Sequence, residues 1–236
     1  MKKKYWRKLS FAFLFVVLGL IFSQVPINQI VGSKQSFTLL EFMGPTAGAF
    51  LGGMLGAVSV VVVKIVNNLI SGAEWDLLTV IRLLPMALAA IYFGTTSLRK
   101  KNIPSILITL VPVLCIILFI AHPEGRQAFL FSFFWLIPII ASFRKDNLFL
   151  RSLGATFTAH AVGSTAFLYA TGMDVAVWYS LVPVVLLERG FFALGIASFH
   201  TLFNTVLGRI AVVASLKELR IEPKYFLNKI YKVKHK

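Results

Sequence analysis

The sequence predicts an all-α polytopic membrane protein, a bundle of about six to eight transmembrane helices with a short, broken helix before Gly44-Pro45. Three observations carry that expectation. Of 236 residues, 58% are hydrophobic and only 14% charged, with a mean hydropathy of +0.82, whereas a soluble domain carries about 25% charged residues. Apolar runs recur from end to end, so no soluble domain is set apart from an anchor. Glycines recur every four residues, at Gly44, Gly48, Gly52 and Gly56, which on an α-helix lays them along one face. In water each would cost about 1 kcal/mol against alanine. In a bilayer they let a second helix approach closely, and they are assigned to helix packing.

The N-terminus, Met1-Lys-Lys-Lys-Tyr-Trp-Arg-Lys8, resembles the basic leader of a signal peptide. The apolar segment at 10–24 lacks a small-x-small cleavage site and reads as a retained first helix. Pro26 ends it, and Gly32 and Ser33 mark a polar loop running to Ser36. Residues 37–43 are apolar but too short to span, since a membrane helix needs about 20 residues. Gly44-Pro45 separates them from a full span at 46–70, with Pro45 expected in its first turn, where no N–H is missed. Further spans are expected at 77–94, 103–121, 127–143, 148–170 and 175–207. The transmembrane domain is set at 1–216. Residues 217–236 form a basic cytoplasmic tail, expected as a surface helix on the inner leaflet.

The net charge is +15. In a soluble chain this would point to nucleic acid. Here the basic residues gather at the two ends and in short loops, with no aromatic platform for bases, so topology explains them and no nucleic-acid partner is expected. With the N-terminus inside and 37–43 counted as a short descending helix, Arg99-Lys100-Lys101, Arg144-Lys145 and the tail all fall inside. The loops at 25–36, 71–76, 122–126 and 171–174 fall outside and are poor in lysine and arginine. If 37–70 were one helix, Arg99-Lys100-Lys101 would land outside. Both termini are therefore expected in the cytoplasm, on a protein of the plasma membrane. The single Cys115 excludes a disulfide within the chain and a thiolate metal site.

Ionisable groups inside a span are expensive, so each is a site candidate. Glu41, Lys64, Arg82, His160, Glu188 and Arg189 qualify, with Asn67, Asn68 and Ser164 beside them. On the expected topology they gather in the outer half, with Glu74, Trp75, Asp76 and Trp178 at the rim, as an outward-facing pocket requires. Lys64, Asn67, Asn68, Trp75, Arg82, His160, Ser164, Trp178 and Glu188 are assigned to substrate binding. Each has a plainer reading. Lys64 and Arg82 snorkel outward, or pair with Glu74 and Asp76. The two tryptophans belong to an interface belt. His160 packs helices. Arg189, one position and about 100° from Glu188 on a helix, serves a structural ion pair.

Phe37-Thr-Leu-Leu-Glu-Phe-Met-Gly-Pro-Thr-Ala-Gly-Ala-Phe-Leu-Gly-Gly53, followed by Val63-Lys-Ile-Val-Asn-Asn-Leu-Ile-Ser71, resembles the substrate-binding S component of energy-coupling factor (ECF) vitamin transporters. In that family a short apolar helix, a Gly-Pro turn, a glycine-rich helix with a Lys-Asn run and an extracellular loop recur in this order. The stop at Arg99-Lys100-Lys101 fits as well. Leu181-Val-Pro-Val-Val-Leu-Leu-Glu-Arg189 resembles the last helix of some members. The resemblance covers residues 37–101 and, less closely, 147–208. It implies a binding subunit rather than an enzyme. Such a subunit captures a vitamin, a vitamin precursor or a transition metal outside, topples in the membrane, and works with a membrane coupling subunit and two ATPase subunits. No Gly-x-x-x-x-Gly-Lys-[Ser/Thr] loop is present, so a partner handles any ATP, and no cofactor is expected. The family has six helices where this chain reads as eight, with 103–143 as an inserted pair.

Two other readings stay open. A secondary transporter would use the break at Gly44-Pro45 as its site. An intramembrane metalloprotease would draw on Glu188, His160, His200 and Asn204, of which His200 and Asn204 share a helical face. Neither His-Glu-x-x-His nor Gly-x-Ser-x-Gly occurs.

Overall fold

The computed structural model describes residues 2–29, 36–97, 105–214 and 219–227. The basic run at 99–101 and residues 228–236 lie outside them. Helix α1 (Lys2–Ser23) leads into an antiparallel hairpin of β1 (Pro26–Gln29) and β2 (Ser36–Thr38). Then come α2 (Leu40–Leu51), α3 (Gly53–Ile70), α4 (Leu77–Ile81) and α5 (Leu84–Thr95). The chain continues through α6 (Ser105–Ala121), α7 (Pro123–Gln127), a 3-10 stretch at Phe129–Trp135 and α8 (Leu136–Ser142). It closes with α9 (Leu148–Thr171), α10 (Val175–Ser180), α11 (Val182–Ala214) and a 3-10 turn at Pro223–Tyr225.

Four stretches are long and apolar enough to cross a membrane: Trp6–Ser23, Gly53–Ile70, Leu77–Thr95 and Val182–Ile210. Two shorter apolar helices, Ile108–Ala121 and Phe129–Ser142, stand beside them. By length and apolarity the described residues thus hold four full spans against the six to eight expected, and α2, α6, α8 and α9 complete the bundle. Phe13, Ile21, Met54, Val58, Ile117, Leu187 and Leu194 are exposed on its outer surface. In water so much apolar surface would drive association. Against acyl chains it is matched, and the helices satisfy their own backbone groups.

The glycine stripe is arranged differently from the sequence reading. The chain breaks at Gly52 rather than at Gly44-Pro45, with φ +95° at the break. Glycine adopts that conformation without a Cβ clash. There α2 and α3 fold back on each other. Glu41 meets Lys64 at 3.8 Å, and a Cβ on Gly56 would lie 2.6 Å from the Gly48 Cα. The four glycines therefore do not share a helical face. Gly44 and Gly48 lie on α2 and face Met86 and Ala90 of α5, Gly52 is the turn, and Gly56 lies on α3 facing α2. Pro45 sits inside α2, not in a first turn. It withholds one N–H from the helix, and the nearby Thr46 hydroxyl donates to the Met43 carbonyl at 2.6 Å.

Moving the turn to Gly52 leaves the up-and-down order intact. Ser23 and Gln24, at the end of α1, meet Asn67 near the end of α3, so the hairpin and the 71–76 loop share one end of the bundle. Gly52, Ser97 and Asp146 share the other, where residues 219–227 contact all three.

Those tail residues were expected on a surface helix. Instead they plug the bundle. Leu219, Ile221, Glu222 and Phe226 are buried, and the Arg220 N–H donates to the Phe50 carbonyl at 3.2 Å. Glu222 is the anchor. Arg151 Nη1 donates to its Oε2 at 2.8 Å, the Ser97 hydroxyl donates to Oε1, and His200 Nε2 lies 3.3 Å from Oε2. Asn204 brackets its backbone, with its Oδ1 accepting from the Glu222 N–H at 2.8 Å and its Nδ2 donating to the Glu222 carbonyl at 2.6 Å. Burial alone would raise the Glu222 pKa. The His200 contact and the Arg151 guanidinium outweigh it and hold the carboxyl below the usual carboxylate range.

Candidate functional site

Two adjoining cavities open at the hairpin end, of about 280 Å³ and about 410 Å³. Glu41, Lys64, Arg82 and Ser36 line both and so mark their junction. Each wall has a local cause. The fold-back at Gly52 sets Glu41 of α2 against Lys64 of α3. Asp76 caps α4 by accepting from the Thr79 N–H at 2.6 Å, and this one-turn helix ends at Arg82. That hydrogen bond also holds the Asp76 carboxyl below its ordinary range. On α9, His160 and Ser164 are four residues apart and share a face. On α11, Glu188 and Arg189 turn toward the hairpin.

His160 has a fixed proton position. Trp135 Nε1 lies 3.1 Å from His160 Nδ1. An indole N–H only donates, so Nδ1 accepts, the imidazole is neutral, and its hydrogen is on Nε2. Ser164 Oγ, 3.3 Å from Nε2, therefore accepts from His160 and keeps its own hydrogen for another acceptor. A serine nucleophile needs the reverse, with Nε2 bare to take the hydroxyl proton. The pair is built to present hydrogen-bond groups rather than to attack. The rings of Phe131 and Phe157 bracket the imidazole, at centroid distances of 5.6 and 5.8 Å.

Glu188 and Arg189 pair with each other despite being sequence neighbours. Asn28 of β1 donates to Glu188 Oε1 at 3.2 Å, so the hairpin is latched to α11. The Arg189 guanidinium lies over the rings of Phe37, at 4.9 Å, and Phe192, at 4.5 Å. Its Nε is buried with no hydrogen-bond partner among the described residues. Arg189, named both as a site candidate and for a structural ion pair, pairs with Glu188 and lines the first cavity.

The site residues expected from sequence divide as follows. Lys64, Arg82, His160, Ser164, Trp178 and Glu188 line the first cavity. Lys64 and Arg82 also line the second, together with Asn67 and Asn68. Asn67 Oδ1 accepts from Ser23 at 3.0 Å and from Gln24 at 2.8 Å, tying α1 to α3. Trp178 is buried, donates to the Met173 carbonyl at 3.0 Å and stacks edge-on against Phe119 and Phe131. Trp75 is 44% exposed and lines neither cavity. Lys64 pairs with Glu41 and not with the 74–76 loop. Arg82 forms no hydrogen bond or ion pair through its guanidinium among the described residues and acts on Asp76 only at longer range. Phe131, Trp135 and the hairpin were not picked out, because aromatic runs and a polar loop carry no spacing that marks a site.

No family model, curated protein or solved structure matches this chain. The site is therefore read from its own geometry. No three histidine, cysteine, aspartate or glutamate side chains among the described residues converge to hold a metal ion. Of the four residues a metalloprotease would draw on, Glu188 and His160 line the cavity, while His200 and Asn204 hold the tail at the other end of α11.

Proposed function

We propose that this chain is the substrate-capturing subunit of an ECF-type importer. It binds a vitamin, vitamin precursor or similar small molecule at the extracellular end of the bundle. A coupling subunit and two ATPase subunits then deliver it across the plasma membrane. One observation carries the reading: a cavity under a latched hairpin, walled by apolar side chains and by charged and polar groups from α2, α3, α9 and α11. Such a concave, mostly apolar site with a few convergent polar groups is what small-ligand capture requires. The resemblance over residues 37–101 agrees with it. The Arg144-Lys145 pair lies beside the tail end, which by the positive-inside rule turns the hairpin outward and both termini inward. A secondary transporter would bind at its helix break. Here the break at Gly52 meets Arg220 at the far end from the cavity.

The test is gentle purification followed by native mass spectrometry. A retained small molecule together with a co-purifying ATPase pair is the expected result. A chain that carries neither, and that accumulates no solute in intact cells, overturns the reading. For the retained molecule, His160→Ala is expected to weaken binding about tenfold, the effect of roughly 1.4 kcal/mol, since it removes one hydrogen-bonded wall. The melting temperature without ligand should stay close to the parent's. Unchanged affinity in this variant would remove His160 from the site.

A further inference from the structure

We infer that the cavity takes a singly charged carboxylic acid with a compact apolar body, its carboxylate at Arg82 where the two cavities meet. The inference rests on the reading of this cavity as the capture site and names the substrate class. Among the described residues, three cations line the first cavity, Lys64, Arg82 and Arg189, against two carboxylates, Glu41 and Glu188. Both carboxylates are engaged, Glu41 by Lys64 and Glu188 by Arg189 and Asn28. His160 is neutral because Trp135 donates to it. One positive charge is left over among these lining groups, and it is at Arg82: Asp76, which lines neither cavity, meets it only at longer range, and the guanidinium has neither hydrogen bond nor ion pair among the described residues.

A cationic ligand would add to that surplus and find no free carboxylate in the described wall of the cavity. A neutral ligand would leave the Arg82 guanidinium without a hydrogen-bonded partner in a half-buried site. A phosphate monoester, at roughly −1.5 to −2, would overshoot. One carboxylate closes the balance, and the planar guanidinium fork matches it in two parallel hydrogen bonds. A second group points the same way. Arg189 is nine-tenths buried, lines the cavity and leaves Nε without a partner. The body of the ligand follows from the rest of the wall. Met86, Phe131, Phe167, Trp178 and Leu181 line the first cavity but not the second. The apolar body therefore lies toward α9 and α10, with the Ser164 hydroxyl hydrogen available to a ligand oxygen.

The test uses the full-length purified chain in mild detergent, without partner subunits. Its melting temperature is read with three acids, 4-phenylbutanoate, 4-cyclohexylbutanoate and indole-3-butanoate, each beside its primary amide and its amine. Acids are expected to raise the melting temperature and to bind at least tenfold more tightly than the amide or amine of the same body. Arg82→Gln should abolish the acid shift. Glu41→Gln, which releases Lys64 and adds a second surplus charge, should tighten acid binding and so gives a gain that misfolding cannot imitate. Amides or amines binding as well as acids, an acid shift that survives in Arg82→Gln, or no shift with any acid at millimolar concentration overturns the inference. Acid binding by a chain that co-purifies no ATPase and accumulates no solute in intact cells would leave the inference standing and remove the importer reading. An ATPase-bound chain that prefers amines would do the opposite.

Discussion

Glu222→Ala is expected to cost about 3–5 kcal/mol of bundle stability, the cost of removing one partner from a buried ion pair. The Arg151 side chain is 0% exposed and that of Glu222 1%. Once the carboxylate is gone, the guanidinium keeps, among the described residues, a long contact to the Phe93 carbonyl, at 3.5 Å, and its contacts with the Phe93 and Tyr225 side chains. Unfolding in mild detergent, followed by helical signal against temperature or denaturant, measures the loss. The paired variant Arg151→Met with Glu222→Leu is expected to recover most of it, because two apolar groups bury without a desolvation penalty. A single-variant loss below about 1 kcal/mol, the level of an exposed pair, would mean that the plug does not hold the bundle. The pH dependence has a definite sign. The folded Glu222 carboxyl lies below its ordinary range, so its stabilisation is complete above the unfolded value of about 4.3. It is lost only as pH falls through the lower folded value. Residues 219–227 should therefore stay protected from protease at pH 5 and be released only in stronger acid.

Gly48→Ala is expected to be the most damaging single methyl in the bundle. Its Cβ would fall on the Ala90 carbonyl oxygen, with the Gly94 backbone 3.1 Å away. Neither is a flexible side-chain tip, so α2 and α5 must separate. Overpacking costs about 1–3 kcal/mol when side chains absorb it, and here the backbone must move, so about 3 kcal/mol or more is expected. Gly190→Ala on α11 is the matched control. Nothing lies within 4 Å of its Cβ, and the gain in helix propensity should be about 0.5–1 kcal/mol. Melting temperature and membrane yield of the two variants decide the point. Equal behaviour would show that the α2–α5 contact is looser than its backbone distances.

Much of the fold was legible because bilayer physics writes it in composition. Long apolar runs and basic stops place helices and order them, and α1, α3, α6 and α9 fall close to where those runs lie. The fold-back at Gly52 was not legible. Four evenly spaced glycines describe one straight helix as well as a hairpin of two, and only the backbone shows that Gly52 has positive φ. The site was legible to the extent that charge inside a span is costly, which singled out Lys64, Arg82, His160 and Glu188. Helix geometry points Arg189 about 100° from Glu188, so a pair between these two neighbours was not legible, yet their long side chains bend back to meet. Trp75 is named on rim position alone, and it lies outside the lining of both cavities. Arg151 and Glu222 lay too far apart in sequence for spacing to join them, and Glu222 sits in a basic segment that reads as a leaflet-bound tail.

The plug also sets an order in time. During synthesis α9 carries Arg151 into the bundle 71 residues before Glu222 is made. Until the ribosome has released that later segment, the guanidinium has no carboxylate and the helices around it cannot reach their final packing. A nascent product halted before Glu222 is therefore expected to keep the Arg151 guanidinium without its carboxylate and to be degraded faster than one that includes it.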